Sequence, residues 1–227
     1  MKKIIALILA TLMLTAGLVG CNESHGDETT IAPETTVAPE TTVAPETTVE
    51  ATEPVAELPY TSAIELLNII FEKYNAAQAT DDTKLYVCGG NVNNFETCNP
   101  EGPAAFVPVD NEDYNQNLGI PAAEADKIAS AASMFNMMNP NTFNCFTVQL
   151  KDGTDVDAFV STLKDSILAR QWICGSPEKL VIAKAPGNCI IAVWGVVEFG
   201  GIVDPVAQSF ATSVEGASIV VEHSFAQ

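Results

Sequence analysis

The side chains able to do covalent or metal chemistry are few and widely spaced. Two histidines, His25 and His223, and six cysteines, Cys21, Cys88, Cys98, Cys145, Cys174 and Cys189, stand among 227 residues. A Cys–His or Ser–His–Asp nucleophile needs a general base beside it. His25 falls in a Pro/Thr/Glu-rich stretch, His223 falls in the last strand-like segment, and no G-x-S-x-G elbow is present. The expected role of His223 is that of a half-buried structural side chain. Zinc or an iron–sulfur cluster calls for close pairs such as C-x-x-C. The nearest pair here, Cys88 and Cys98, has nine residues between its members. In an exported chain these two close a short loop and form the candidate disulfide; two free thiols are the alternative. Cys145 and Cys189 begin strands that run in opposite directions, so no bond is expected between them, and small buried side chains are the plain reading of both.

The acidic clusters are equally unspecialised. Asp152-Gly153-Thr154-Asp155-Val156-Asp157 has the look of a calcium loop but lacks its sixth-position glycine and twelfth-position glutamate. A turn followed by an N-capped helix is the expectation. Asp110, Glu112 and Asp113 read as a solvated loop that would hold a hard cation only weakly. Gly89-Gly90 lacks the strand–turn–helix frame of a phosphate loop. Met134, Met137 and Met138, beside Phe135, have helical spacing and read as core. No catalytic, cofactor-binding or metal-binding residue is assigned, although two carboxylates facing across a cleft would not be visible in sequence.

Charge narrows the partners. The chain carries 10 Lys+Arg against 29 Asp+Glu, a net −19, with 47% apolar residues. Nucleic acid is disfavoured, because phosphate backbones need clustered bases, and so is electrostatic docking on anionic lipid.

The N-terminus is an address. Lys2 and Lys3 precede an apolar run from Ile4 to Val19, shorter than the roughly 20 residues of a spanning helix. Leu18-Val19-Gly20-Cys21 follows. Residues 1–20 and Cys21 together resemble the signal peptide and lipobox of bacterial lipoproteins. That resemblance implies cleavage before Cys21, lipidation of its sulfur, palmitate among the acyl chains, and anchoring to the bilayer at the extracytoplasmic face of the cell membrane. Two or three chains hold stably where one does not, at about 0.8 kcal/mol per buried methylene.

Residues 21–57 form a linker. Ile31-Ala32-Pro33-Glu34-Thr35-Thr36 recurs as Val37 to Thr42 and as Val43 to Thr48. A six-residue unit with one proline and two small apolar side chains cannot bury a face. It reads as a semi-extended stalk of low complexity, spanning on the order of 100 Å when fully drawn out. Between Asn22 and Glu57 there are nine acids and no Lys or Arg, which favours extension.

Residues 58–227 are the extracytoplasmic domain, long enough for a proper core. Apolar spacing predicts a helix over 60–77, opened by Ser62 and Glu65 as a capping box. Residues 80–119 read as turns, with a short strand at 85–87, and 121–138 as a second helix opened by Pro121. From Asn144 the pattern is strand 145–150, helix 155–172 stopped by Gly175 and Pro177, strand 180–183, hairpin turn 185–188, strand 189–197, helix 203–214 and strand 217–225. This β-α-β-β-α-β order predicts an α+β fold of ferredoxin-like topology, four antiparallel strands with two helices on one face and two additional N-terminal helices. The Cys145–Arg170 strand–helix unit, Pro177-Glu178 and the Gly187-Asn188 hairpin also resemble a domain of unknown function in short lipoproteins of anaerobic Gram-positive bacteria. The extra cysteines and Trp172 depart from it. It implies a surface lipoprotein and supplies no site residue. The expected function is a binding or interaction module at the envelope, with a wall component or a protein as partner. An envelope hydrolase using carboxylate, Ser or Cys groups is the alternative.

Overall fold

The computed structural model describes residues 57–173, 175–197 and 201–226; the leader, Cys21, the repeat and Cys174 lie outside them. Among the described residues no helix is long and apolar enough to cross a membrane.

Alternating burial builds one mixed α+β unit around a six-stranded open sheet. The strands are β1 (Ala104–Ala105), β2 (Ile128–Phe135), β3 (Phe143–Leu150), β4 (Lys179–Ala185), β5 (Cys189–Gly195) and β6 (Ser218–Ser224). Their order is β1-β2-β3-β5-β4-β6, and every neighbouring pair is antiparallel. Cys145, Val181, Val193 and Ile191 point to one face, where helices α1 (Ala63–Ala76) and α4 (Val203–Ser213) cover them. Phe146, Val148, Ile182, Ile190 and Trp194 point to the other, under α2 (Glu112–Leu118) and α3 (Val156–Ala169). Side chains two apart along a strand share a face, so β3, β4 and β5, buried at nearly every position, are covered on both.

The expected ferredoxin-like arrangement is not what the strand order gives. That topology sets the closing strand beside the opening one and both helices on one face. Here β6 pairs with β4, at the opposite side of the sheet, and the place beside β3 belongs to β2. The crossovers explain the helices. β3-α3-β4 and β5-α4-β6 each skip one strand in the same direction across the sheet, starting from antiparallel strands. Two right-handed crossovers of that kind must lie on opposite faces.

The second N-terminal helix is also corrected. Residues 122–127 form a 3₁₀ turn, and Ile128–Phe135 is a strand. Its run of Ala and Ser resembles a helix by propensity, but small side chains are what a strand buried on both faces accommodates beside its neighbours. Met134 alone of the three methionines is core; Met137 and Met138 are exposed. The 85–87 strand is not a ladder strand. The next residues, Cys88 and Gly89, make isolated bridges to Phe135 and Asn99.

Local signals account for the rest. In α1, Ala63, Leu66, Leu67, Ile70 and Tyr74 form the buried stripe. Its capping box is displaced by one residue: Glu65 accepts from the Thr61 N–H and hydroxyl, at 2.6 and 2.9 Å. The sheet secures its first turn instead, Ser130 Oγ accepting from the Ala63 N–H and Thr147 Oγ1 donating to the Ala63 carbonyl. The acidic turn before α3 behaves as expected, with Asp155 accepting from the Ala158 N–H at 3.0 Å. α3 ends at Ala169, short of 172, because Arg170 turns outward to α2.

α2 ends on Gly119, whose φ of +68° lets its own N–H and that of Ile120 reach the Asn115 and Tyr114 carbonyls. A Cβ there would lie 2.7 Å from Ile167 Cγ1 of α3. Gly119→Ala is therefore expected to lower stability by about 1–3 kcal/mol, read as a lower urea midpoint at unchanged slope. An unchanged midpoint would show that the α2–α3 contact is not close.

Candidate functional site

One transverse row of the sheet ends under a cleft. Register aligns Phe135, Asn144, Trp194, Leu180 and His223 across β2, β3, β5, β4 and β6 on the α2/α3 face. Phe135, Asn144 and Trp194 contribute to a cavity of about 230 Å³. Gln116, Asn117 and Leu118 of α2, Arg170 at the end of α3, Asn141 between β2 and β3, and the Gly90–Val92 loop complete its wall.

The polar atoms of this wall are not balanced within the protein. Asn144 is 4% exposed and Trp194 1%. The Asn144 Nδ2 donates to the Asn117 carbonyl at 3.2 Å, but its Oδ1 accepts from nothing among the described residues. Trp194 Nε1 likewise has no partner among them. Arg170 Nη2 donates to the Gln116 carbonyl at 2.6 Å, whereas Nη1 is unpartnered, as is the indole nitrogen of Trp172 next door. All four atoms are shut off from bulk solvent. A buried group left so costs about 1–3 kcal/mol.

Arg170 is the charge of the site. Its guanidinium carbon lies 5.0 Å from the Trp172 ring centre and 5.9 Å from that of Trp194. The two indoles meet edge to face at 5.7 Å, and Phe146 and Phe225 extend the aromatic cluster. Burial lowers the Arg170 pKa from its ordinary value, but a guanidinium stays charged near neutral pH. Among the described residues no carboxylate pairs with it.

A second polar network holds the wall in place. Asp113, expected in a solvated loop, is instead buried at 4% exposure. Its carboxylate accepts from Asn91 Nδ2, Asn93 Nδ2 and the Val109 N–H at 2.7, 2.5 and 2.6 Å. Asn117 Nδ2 donates to the Asp113 carbonyl and to Asn91 Oδ1, and the Asn117 carbonyl then receives Asn144. Ser133 and Gly90 exchange two hydrogen bonds, fixing the loop over β2. A continuous chain of partners thus runs from Asp113 to the cleft.

The other sequence candidates do not converge on it. His223 packs edge to face on Phe225, 5.3 Å between ring centres, and makes no side-chain hydrogen bond among the described residues. Asp157 pairs with Lys184, and Asp204 and Glu222 share Lys179. Among the described residues no three His, Cys, Asp or Glu side chains gather as a metal site. Cys145 faces Val193 while Cys189 faces Gln149, four residues along the ladder, so those thiols are apart. Cys88 and Cys98 are free thiols that line one apolar cavity of about 470 Å³ with Phe95 and Met137. The Gly89–Asn99 bridge sets Cys98 opposite Gly90 and makes Cys88 its diagonal neighbour. Burial raises the pKa of all four described thiols, that of Cys189 to about 11, so they stay protonated and weakly nucleophilic.

Comparison with protein-family models, curated proteins and solved structures finds no match. The functional reading therefore rests on the chain's own residues.

The Asp113 network makes an acid-sensitive prediction. Burial alone would raise the Asp113 pKa, but the bonds from Asn93, Val109 and Asn91 outweigh it, and the native value lies below the ordinary one. Its stabilisation is thus complete above the unfolded pKa of about 3.9 and is lost as pH falls through the native value. Asp113→Asn is expected to cost about 2 kcal/mol near neutrality. In urea titrations its gap to wild type should shrink below about pH 4; a gap independent of pH would contradict this role.

Proposed function

We propose that this protein is a lipoprotein of the bacterial envelope, lipidated on Cys21, whose region 58–227 is a binding module held off the membrane by the repeat stalk. The leader supports the first part, through Lys2, Lys3, the Ile4–Val19 run and Leu18-Val19-Gly20-Cys21 in order. One observation carries the second. A cavity of about 230 Å³ is walled by Gln116, Asn117, Asn141, Asn144 and Arg170 together with Trp194. A small polar ligand there would meet these amide and guanidinium groups, with the aromatic cluster beside them.

The hydrolase alternative has less support. The buried Ser133 hydroxyl is committed to Gly90, burial raises the pKa of the described thiols, and Asp204 and Glu222 are both paired with Lys179. Among the described residues no histidine stands beside any of these groups.

Two measurements test the proposal. Cys21→Ala should abolish incorporation of radiolabelled palmitate and release the protein from the membrane fraction; undiminished label would remove the lipoprotein reading. In a thermal-shift screen of wall fragments and small metabolites, a ligand at about 100 times its Kd stabilises by about 2.7 kcal/mol. That shift should be lost in Asn144→Leu. A ligand that shifts both proteins equally would place binding elsewhere.

A further inference from the structure

Two thiols with no part in the cleft meet a thioether in another cavity. We propose that Cys88, Cys98 and Met137 form a binding site for a soft monovalent metal ion, Cu(I).

Backbone register brings the sulfurs together. Gly89 and Asn99 exchange two hydrogen bonds, at 2.9 and 3.0 Å. Cys88 and Cys98 each precede one member of that bridge, so they project to the same side of it as diagonal neighbours. Gly90 stands opposite Cys98 and has no side chain to fill the space between them. A Cβ there would lie 3.2 Å from Cys98 Sγ, so this sulfur leans over Gly90, on the side that Cys88 shares. Cys88 pairs in turn with Phe135 through two hydrogen bonds, at 3.1 and 2.8 Å, and Met137 follows two residues later. Cys88, Cys98 and Met137 line one cavity of about 470 Å³. Phe95 and Met137 are exposed, which leaves an ion a way in.

Spacing decides between a metal and a disulfide. Diagonal neighbours have Cα atoms about 7–8 Å apart, beyond the roughly 4.4–6.8 Å of a disulfide. An ion between the sulfurs, held by metal–thiolate bonds of about 2.3 Å each, lengthens the bridge and spares the backbone. The lining decides which ion. Val92, Phe95, Pro100 and Phe135 complete the wall and bring no side-chain nitrogen or oxygen. Calcium finds no carboxylate there. Zinc and iron–sulfur clusters ask for four ligands, and this cavity offers three sulfurs. Two thiolates and a thioether are the soft donors that select Cu(I). Coordination here involves no oxidation: each sulfur gives the ion an electron pair, and the two thiols release their protons to water.

Met137 reports on its own site. The mature protein, solubilised in detergent, reduced and then freed of reductant without oxygen, would carry ¹³C in its methionine methyl groups. It would be titrated with Ag(I), which shares the charge and softness of Cu(I) and keeps its oxidation state. Met137→Leu assigns the Met137 signal. The expected result is a saturable shift of that signal, lost in Cys88→Ser and in Cys98→Ser. Cu(I) affinity, measured by competition with bicinchoninate, should fall by more than about 100-fold in either variant, because a lost ligand costs more than a lost outer-shell partner. Met137→Leu, which keeps the bulk and removes the sulfur, should weaken it by about tenfold. Should Cys88→Ser fail to fold, Cys98→Ser, at a less buried position, carries the test. Ag(I) binding that leaves the Met137 signal unmoved, or that persists in Cys98→Ser, would place the ion on other sulfurs and overturn the proposal. So would an equal shift with Zn(II), or Cu(I) left wholly with the chelator.

Discussion

Burial of the central strands on both faces is the constraint on which the rest of the structure depends. β3, β5 and β4 lie inside the sheet, and the two crossovers that leave from antiparallel strands send α3 to one face and α4 to the other. Water is thereby excluded from both sides of the same residues. Apolar side chains gain by this arrangement. Any polar atom on these strands must find its partner within the fold. Thr147 does so, donating to the first carbonyl of α1. Asn144 and Trp194, opposite one another at the end of the sheet, do so only in part.

The elements around that end set the geometry of the cleft. α2 has seven residues and closes on Gly119, so its last carbonyls stand over β3 and receive Arg170 and Asn144. α3 stops where Arg170 leaves the helix, and Trp172 then docks on Trp194 and Phe225. Asp113 fixes Asn91 and Asn117 from behind. Hydrogen bonds from several segments thus brace the wall.

Elements with strong periodicity were legible from sequence. The stripe of α1, the capped start of α3, the β4–β5 hairpin and α4 follow from local chemistry, and the structure has them within a few residues. Sheet order was not legible, because the same β-α-β-β-α-β string permits the closing strand on either edge, and long-range pairing with β2 decides. β2 itself was masked by its alanines, whose helix preference is overridden by burial between two layers. The cleft was invisible for a related reason. Asn91, Asn117, Asn144 and Arg170 are ordinary surface types in a sequence, and only the register that sets Asn144 beside Trp194 gives them a common place. Asp113 looked like one of three loop acids, and three donors from other segments make it a buried hub.

The central claim is that the cleft walled by Asn144, Trp194 and Arg170 holds a small polar ligand. A crystal structure of the mature protein, isolated from its own membrane, would test it most directly. The account predicts a co-purified molecule in the cleft, bonded to side chains of its wall. A cleft filled by ordered water alone, with a bound molecule elsewhere on the domain, would contradict it.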